Sequence, residues 1–361
     1  MRAVRSVFLA LFVLVTGVSF AYADDLDNVI TAEMKRQNIP GLAIGITKDG
    51  KISRLSGYGY ANLEWQAPVT PDTVFQTGST GKQFTSLAIL MLQQEGKLSI
   101  EDPISKFFPD APASWADIRL KHLLSHTSGL DDEYSSVNLQ QTYTPDALRQ
   151  LMYKAPKSRP SGTKWAYSNS GYVMLGLVIE KITGAPYHDY FTSHIFKPLG
   201  MSATRDISEL DIIPGRAAGY ERDEPKIGSP LKNQAWVSPT FNKTADGSTY
   251  ITARDFATYL AALDAPSALF GPLWAQTKAP VIKPDAAKPA FYAMGWFTVM
   301  VEGTRIDFHS GSWQGFNAYI IHWPQQKTGV VILVNTNVPE YREFIGKVLP
   351  AAAPGLPLPP R

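Results

Sequence analysis

The chain has 361 residues, 44% of them hydrophobic and 18% charged, which is enough apolar sequence for a large buried core. Its 34 basic and 32 acidic residues give a formal net charge of +2 without basic clusters, so composition gives no reason to expect a nucleic-acid partner. The absence of cysteine excludes disulfides and thiolate metal sites.

The N-terminus has the pattern of a secretory signal peptide over residues 1–23. Arg2 and Arg5 precede an apolar stretch, and Ala21-Tyr22-Ala23 is a small-residue cleavage site. We predict cleavage after Ala23, a periplasmic or secreted protein, and no stable membrane span after cleavage, because the apolar run is short for a bilayer. An uncleaved anchor is the alternative. Loss of the two arginines would leave 32 basic and 32 acidic residues.

Helix and strand patterns are distributed unevenly along the chain. Apolar residues at helical spacing predict helices over 24–37, 84–92, 148–152, 172–182 and 339–348. Apolar runs bounded by turn residues predict strands over 41–47, 52–59, 291–301, 304–309, 316–323 and 330–335. A capping box at Thr252-Ala253-Arg254-Asp255 opens one further helix.

Strands therefore lie at both ends of the chain, with helices between them. Because two N-terminal strands alone are marginally stable, we predict that they pair with the C-terminal strands in one antiparallel sheet. The result is an α+β fold in a single domain over 24–350. An α/β lobe comes from about 24–75 and 285–350, a mostly helical lobe from about 76–284, and a cleft lies between them.

Two segments look irregular. Residues 203–246 are polar and rich in proline, glycine and aspartate, which is typical of a long surface excursion, either a functional lid or mobile padding. Residues 351–361 are rich in alanine and proline and are predicted to form a flexible tail.

Ser79-Thr80-Gly81-Lys82 stands at the predicted start of a helix. A serine and a lysine three residues apart in a first helical turn lie on one face, where the amine can help to take the hydroxyl proton. The free N–H groups of the helix N-terminus point to the same place, so the motif indicates a nucleophilic acyl-transfer site. The alternative is a helix N-cap beside a solvated lysine.

Two further S-x-x-K matches compete with this one. Ser161-Gly162-Thr163-Lys164 and Ser229-Pro230-Leu231-Lys232 lie in polar, proline-containing regions without a following helix. We interpret both as loops.

Acyl transfer also needs a proton relay, an oxyanion hole and groups that align the substrate. In Tyr167-Ser168-Asn169, a phenol beside an ammonium would favour its phenolate form and act as a base, and the amide would orient a substrate. A second Y-x-N, Tyr60-Ala61-Asn62, is interpreted as a strand end.

A third group, His309-Ser310-Gly311-Ser312, ends a predicted strand. His309 could donate to the substrate, Gly311 lets the backbone approach closely, and the Ser312 N–H could complete an oxyanion hole with that of Ser79. The alternative is an ordinary turn.

In these motifs the chain resembles the serine β-lactamases and penicillin-binding DD-peptidases, on the class C side. The three motifs occur in family order, and the resemblance covers about residues 25–345. Supporting segments also look like the family: Thr70-Pro71-Asp72-Thr73, residues 122–130, residues 196–201, and Gly295-Trp296.

The resemblance implies roles for these residues. Ser79 is the acylated nucleophile, Lys82 and Tyr167 share acid and base work in an order that is disputed within the family, and Asn169 orients the substrate. The third motif, His309-Ser310-Gly311, lines the substrate site, and the amides of Ser79 and Ser312 hold the oxyanion. His126, within the 122–130 segment, is expected to be structural.

His309 departs from the family pattern, because most class C β-lactamases carry Lys-Thr-Gly there. Lys327-Thr328-Gly329 lies too near the end of the sheet and is interpreted as a turn. A histidine resembles certain DD-carboxypeptidases, D-amino-acid peptidases and esterases. It attracts a substrate carboxylate less than lysine does, and at its usual pKa it would make activity sensitive between about pH 5 and 8.

We therefore predict a serine hydrolase that forms an acyl-enzyme with D-amino-acid peptides or related amides and esters. The alternatives are an esterase, a class C-like β-lactamase, and a penicillin-binding sensor that never turns over. The expected partners are small-molecule or peptide substrates, with β-lactams as covalent ligands. No cofactor or metal is expected, because the histidines lack metal-ligand spacing. The oligomeric state is left open. The 203–246 and 131–143 segments are predicted to shape substrate choice.

Overall fold

The structure, a computed structural model, describes residues 25–132, 137–208, 210–265 and 270–360. The predicted signal peptide and its cleavage site after Ala23 lie outside these residues, as does part of the 131–143 segment. Within the described ranges, every helix is too short or too polar to cross a bilayer.

The described strands and helices largely follow the predicted pattern. The strands are β1 (Gly41–Lys48), β2 (Lys51–Asn62), β3 (Ala67–Pro68), β4 (Val74–Gln76), β5 (Arg205–Asp206), β6 (Tyr220–Arg222), β7 (Leu231–Asn233), β8 (Thr249–Thr252), β9 (Phe291–Tyr292), β10 (Phe297–Val301), β11 (Thr304–Trp313), β12 (Phe316–Trp323) and β13 (Thr328–Val334). The α-helices are α1 (Asp25–Gln37), α2 (Lys82–Gln94), α3 (Leu120–Leu124), α4 (Pro145–Met152), α5 (Asn169–Thr183), α6 (Tyr187–Phe191), α7 (Lys197–Leu199), α8 (Ala253–Ala262), α9 (Gly271–Thr277) and α10 (Tyr341–Ala352).

Eight strands form one antiparallel sheet in the order β3-β2-β1-β13-β12-β11-β10-β9. The two ends of the chain meet where β1 pairs with β13, with Leu42 opposite Val334. The pairing gives the N-terminal hairpin the partner that it needs for stability. The predicted α+β fold and its shared sheet are confirmed.

The two faces of the sheet carry different helices, because side chains of a strand alternate between faces. Leu42, Ile44 and Ile46 of β1 belong to a core with the apolar sides of α1 and α10. Ala43, on the opposite face, belongs to the larger core that also contains the helical region.

Helix α8 lies on this second face, which corrects its predicted place in the helical lobe. A Cβ on Gly45 would lie 2.8 Å from the Ala257 Cβ, and one on Gly329 would lie 2.4 Å from the Leu260 Cδ2. The glycines of β1 and β13 therefore provide the space into which α8 packs. The helix begins at the predicted capping residue, since the Thr252 hydroxyl accepts a hydrogen bond from the Asp255 N–H at 3.0 Å.

We expect Gly45→Ala to destabilise the protein, because the added methyl group meets Ala257 and the Val331 side chain at 3.0 Å or less. Overpacking of this kind costs about 1–3 kcal/mol in the free energy of unfolding. Gly346→Ala is the matched control. This glycine lies within α10, and a Cβ there would have no atom within 4 Å. Alanine should raise the free energy of unfolding by up to about 1 kcal/mol, through its higher helix propensity. Urea unfolding measures both, and an unchanged midpoint for Gly45→Ala would contradict the packing described.

The predicted strand over 291–301 is two strands. Gly295, at φ 80°, carries the chain against α2, where a Cβ would lie 3.0 Å from the Gln83 N. This close approach separates β9 from β10.

The predicted flexible tail is also corrected. Helix α10 continues to Ala352, and the carbonyl of Pro357 accepts a hydrogen bond from the Trp323 Nε1 at 2.9 Å. Leu356 and Leu358 pack against the α1–α10 core. The tail prediction was wrong because composition does not show that these leucines meet an apolar surface.

The helical region is built around α2, whose first nine residues are all buried. Helix α5 packs beside it, begins with a cap in which the Ser168 hydroxyl accepts from the Gly171 N–H at 3.2 Å, and ends at Gly184 with φ 72°. The N-termini of α2 and α5 and one end of β11 lie together, and this is where the predicted motifs meet.

Candidate active site

Ser79 lies in a 3-10 turn, Gly78–Gly81, that leads directly into α2 at Lys82. The side chain is partly exposed at the end of the helix, as the motif predicted, although the turn is tighter than an α-helix. The turn is fixed by two side chains: the Thr80 hydroxyl donates to the Thr77 carbonyl at 2.9 Å, and the Thr77 hydroxyl donates to the Gly247 carbonyl at 2.6 Å.

The amine of Lys82 is fully buried and has three oxygen neighbours. Its Nζ lies 3.3 Å from the Ser79 Oγ and 2.7 Å from the Asn169 Oδ1, and it donates to the Asp246 carbonyl. Burial lowers the pKa of Lys82 to about 8, and the carboxylates of Asp246 and Asp132 oppose part of that shift. A neutral amine is therefore accessible near physiological pH.

The three neighbours also define how a neutral amine would be oriented. The Asn169 Oδ1 and the Asp246 carbonyl can only accept hydrogen bonds, whereas the Ser79 hydroxyl can also donate. The two N–H groups of a neutral amine satisfy the two carbonyl oxygens, and its lone pair then faces the Ser79 Oγ. This arrangement is suited to removing the Ser79 proton.

Tyr167 lies next to Lys82, whose Nζ is 4.9 Å from the centre of the phenol ring. Its hydroxyl oxygen is buried without a hydrogen-bond partner among the described residues. Burial raises the pKa of Tyr167 well above its usual value. The nearby Ser79 hydroxyl opposes part of this rise in pKa, although its contact with the Tyr167 hydroxyl does not meet the geometry of a hydrogen bond. The predicted phenolate is therefore corrected: burial disfavours the charged form, the carboxylates of Asp246 and Asp132 raise the pKa further, and Tyr167 is described as a phenol.

Asn169 is held by a carboxylate that the sequence motifs did not identify. Asp132 accepts from the Asn169 backbone N–H at 3.1 Å and from its Nδ2 at 2.8 Å, and it also accepts from the Ser170 hydroxyl at 3.3 Å. Because the Nδ2 donates to Asp132, the Oδ1 is turned toward Lys82. Asp132 carries no local signal, since it lies 37 residues before Asn169 in the sequence.

His309 belongs to a buried chain of hydrogen bonds. Its Nδ1 lies 2.6 Å from the Ser310 carbonyl and its Nε2 lies 3.4 Å from the Tyr292 hydroxyl. The Tyr292 hydroxyl lies 3.1 Å from the His126 Nε2, and the His126 Nδ1 accepts from the Ser168 N–H at 3.1 Å. One assignment of protons satisfies every contact: His126 donates to Tyr292, Tyr292 donates to His309, and His309 donates to the Ser310 carbonyl.

This assignment keeps both histidines neutral. Burial lowers the pKa of His309 to about 3, and burial together with Lys82 holds the pKa of His126 well below its usual value. The expectation that His309 titrates between pH 5 and 8 is therefore corrected. The ring of His126 packs beside that of Tyr167, with centroids 4.3 Å apart, so this histidine lies beneath the site.

Close backbone contacts bring the third motif against the nucleophile. A Cβ on Gly311 would lie 2.0 Å from the Thr77 carbonyl and 3.2 Å from the Ser79 N, and one on Gly78 would lie 2.7 Å from the Ser312 N. Side chains at these two glycines would separate β11 from the 3-10 turn that carries Ser79. Ser79 and Ser312 consequently line one small cleft of about 90 Å³. Ser310 is exposed on β11 beside it.

The long polar segment also reaches this cleft. Asn242 accepts from the Trp313 Nε1 at 3.2 Å, and Asp246, Gly247 and Ser248 line the cleft with Asn169. Part of the 203–246 excursion therefore lies at the cleft, and its effect on substrate choice stays a prediction. Asp246 itself had no motif that could have identified it.

The competing motifs lie elsewhere. Ser161-Gly162-Thr163-Lys164 is a surface loop, and Ser229-Pro230-Leu231-Lys232 runs into β7, where Lys232 pairs with Asp223. Lys327-Thr328-Gly329 is at the opposite end of the sheet, since Thr328 faces Trp323 on β12 whereas Ser312 faces Asn317. A larger hollow of about 350 Å³ beside α5 contains none of the predicted catalytic residues.

An antiparallel sheet against a helical region, with a serine, a buried lysine and a tyrosine between them, is the architecture of the serine β-lactamase and transpeptidase superfamily. The chain belongs to the beta-lactamase family, whose family model matches residues 26–351.

Similar proteins include one curated relative and two solved structures. Protein flp of Staphylococcus aureus (strain MW2) is 31% identical over 338 residues, which are 90% of this chain and 64% of the relative. The octameric penicillin-binding protein homologue from Pyrococcus abyssi is 29% identical, with a TM-score of 0.79 over 90% of this chain and 76% of that one. D-amino acid amidase from Ochrobactrum anthropi SV3, complexed with D-phenylalanine, is 25% identical, with a TM-score of 0.77 over 91% of this chain and 99% of that one.

Proposed function

We propose that this protein is a serine hydrolase that cleaves amides or esters, with peptides and amides of D-amino acids as its substrates, through an acyl-enzyme on Ser79. The observation that carries the proposal is the position of the Lys82 Nζ, which lies 3.3 Å from the Ser79 Oγ and contacts two carbonyl oxygens, those of the Asn169 side chain and of the Asp246 backbone. We also propose a place on the class C side of the family, on the Tyr167-Ser168-Asn169 motif.

In the proposed reaction, Lys82 takes the Ser79 proton while the Oγ forms a bond to the substrate carbonyl carbon. The carbonyl oxygen becomes an oxyanion facing the amides of Ser79 and Ser312. When the tetrahedral intermediate collapses, the bond to the leaving group breaks and the Tyr167 phenol donates a proton to the leaving group. The Lys82 ammonium then returns a proton to Tyr167. Water attacks the acyl-enzyme by the same proton transfers in reverse, releasing the acid and restoring Ser79.

The neutral third motif supports amides and esters over β-lactams. His309 uses both ring nitrogens inside the protein and carries no charge with which to hold a substrate carboxylate. The D-amino acid amidase is similar over nearly its whole length, which supports the choice of D-amino-acid derivatives. The match to protein flp spans only 64% of that relative, so flp carries no weight in this choice.

A side-by-side assay tests the proposal. We expect Ser79-dependent turnover of a D-amino-acid amide and of a short-chain aryl ester, with turnover of a chromogenic cephalosporin at least about tenfold slower. Ser79→Ala is the control for each substrate. A cephalosporin turned over fastest would indicate a β-lactamase, and a stable mass addition on Ser79 without product release would indicate a penicillin-binding sensor.

We further propose that the protein is exported to the periplasm or beyond the cell. The proposal rests on the N-terminal pattern of residues 1–23. N-terminal sequencing of the protein recovered from outside the cytoplasm should begin at Asp24, and an intact Met1 in a cytoplasmic fraction would contradict it.

A further inference from the structure

We infer that the cleft selects substrates that carry an ammonium group next to the scissile carbonyl, and that the carboxylate of Asp246 binds it. The inference rests on the proposed hydrolysis at Ser79 and adds to it the charge of the substrate and the residue that recognises that charge. The substrate class is an amino-acid amide or ester, or a peptide, with a free α-amino group.

The first observation is the carboxylate itself. Asp246 lines the cleft together with Ser79, Asn169 and Ser312, and only 8% of the residue is exposed. Its Oδ1 has no hydrogen-bond partner within the described part of the chain. Burial raises the pKa of Asp246, and the Lys82 ammonium and the Thr244 side chain oppose part of that shift. A donor bound at the unpartnered Oδ1 would favour the ionised form further, so the site retains a capacity to bind one.

The second observation is the position of Asp246. Its backbone carbonyl accepts from the Lys82 Nζ, which lies 3.3 Å from the Ser79 Oγ. Asp246 and Ser79 therefore both contact the same amine, that of Lys82. An α-ammonium is two bonds from the carbonyl carbon that Ser79 attacks, so both groups can be engaged by one small substrate.

The third observation is the charge of the reactive state. Lys82 must be neutral to accept the Ser79 proton, and the described residues that line the cleft include no lysine, arginine or histidine. In that state Asp246 has lost its nearest positive charge. A substrate ammonium replaces it, whereas a substrate carboxylate meets a like charge at close range.

The fourth observation concerns the residue where the family pattern carries a lysine. His309 is buried and neutral, and its ring nitrogens contact Tyr292 and the Ser310 carbonyl. At this position the protein therefore lacks a cation. A substrate carboxylate would be repelled by Asp246, and His309 would not offset that repulsion. Both features favour the same charge on the substrate.

Two substrates that differ only at the α-position test the inference. D-phenylalanine p-nitroanilide carries an α-ammonium, and D-phenyllactic acid p-nitroanilide carries a neutral hydroxyl of similar size. At pH 7 we expect kcat/KM to be at least about tenfold higher for the ammonium substrate, because a desolvated charge pair contributes more than a neutral hydrogen bond.

Variants of Asp246 then assign the preference to this side chain. We expect Asp246→Asn to reduce the ratio of the two kcat/KM values by at least about tenfold, and Asp246→Glu to retain most of it. The ratio is the informative quantity, because any change in the pKa of Lys82 affects both substrates alike. Asp223→Asn, which removes an exposed carboxylate paired with Lys232, is the matched control and should leave the ratio unchanged.

The outcomes separate this inference from the proposed function. Equal rates for both substrates, a preference for the hydroxyl substrate, or an unchanged ratio in Asp246→Asn would overturn the role of Asp246 while the hydrolase stands. Turnover that does not depend on Ser79 would overturn the proposed function, and this inference with it. If Asp246→Asn does not fold, the ratio of the two kcat/KM values in the wild type and in Asp246→Glu still tests the inference, because a ratio near one in the wild type would overturn it.

Discussion

Lys82→Met should lower kcat/KM by at least about 10³-fold, close to the effect of Ser79→Ala, because the two residues act as one unit in forming the nucleophile. Methionine fills a similar buried volume but cannot take a proton. The amine lies 3.3 Å from the Ser79 Oγ and contacts two carbonyl oxygens. Among the residues that the structure describes, none with a basic side chain lines the cleft. Initial rates on an activated aryl ester measure the loss.

Non-additivity is the stronger form of this prediction. The double variant Ser79→Ala, Lys82→Met should be no slower than the slower single variant. Tyr167→Phe should lose less, about 10²-fold, because a leaving group of low basicity needs little help from an acid. Lys82→Met activity within tenfold of the wild type would show that another group serves as the base. Thermal unfolding of each variant confirms that it is folded.

The pH dependence of kcat/KM should follow Lys82 and not His309. The reactive amine is the unprotonated form, and with a pKa of about 8 it makes up roughly 1% of the enzyme at pH 6 and half at pH 8. Activity on an uncharged substrate should therefore rise about tenfold per pH unit below 8 and level off above it. His309, with its pKa lowered to about 3, adds no inflection between pH 5 and 8.

His309→Gln is the control for this assignment. Glutamine stays neutral at all pH values, so the variant should keep the same rise toward pH 8 even if its overall rate falls. An acid limb that disappears in His309→Gln would show that the histidine titrates in the wild type and that the buried relay through Tyr292 is incorrectly assigned.

Local chemistry explains why much of the site could be predicted. The spacing of Ser79 and Lys82 is set by one helical turn, and Tyr167 and Asn169 lie at the N-terminus of a helix whose cap, Ser168, is adjacent in the sequence. The strands at both ends of the chain need partners, and in the observed sheet they pair with one another. These features depend on residues that are close in the sequence, or on the general need of strands for hydrogen-bonded partners.

The parts that could not be predicted depend on contacts between distant residues. Asp246 meets Lys82 across 164 residues of sequence, and Tyr292 meets His126 across 166. The phenolate prediction for Tyr167 failed for a related reason. The cost of burying a phenolate outweighs what lowers the phenol pKa here, and whether the hydroxyl is buried is decided by elements remote in the chain.

The loop that carries Asp246 and leads into β8 joins substrate contact and proton transfer in one segment. The same backbone carbonyl that orients the Lys82 amine belongs to the residue that lines the substrate cleft. Exchanging this loop for that of a homologue, in order to alter selectivity, would also reset proton transfer at the nucleophile. New specificities in this scaffold should therefore arise more readily from changes to the Ser312 side chain on β11 than from loop grafts on the opposite wall.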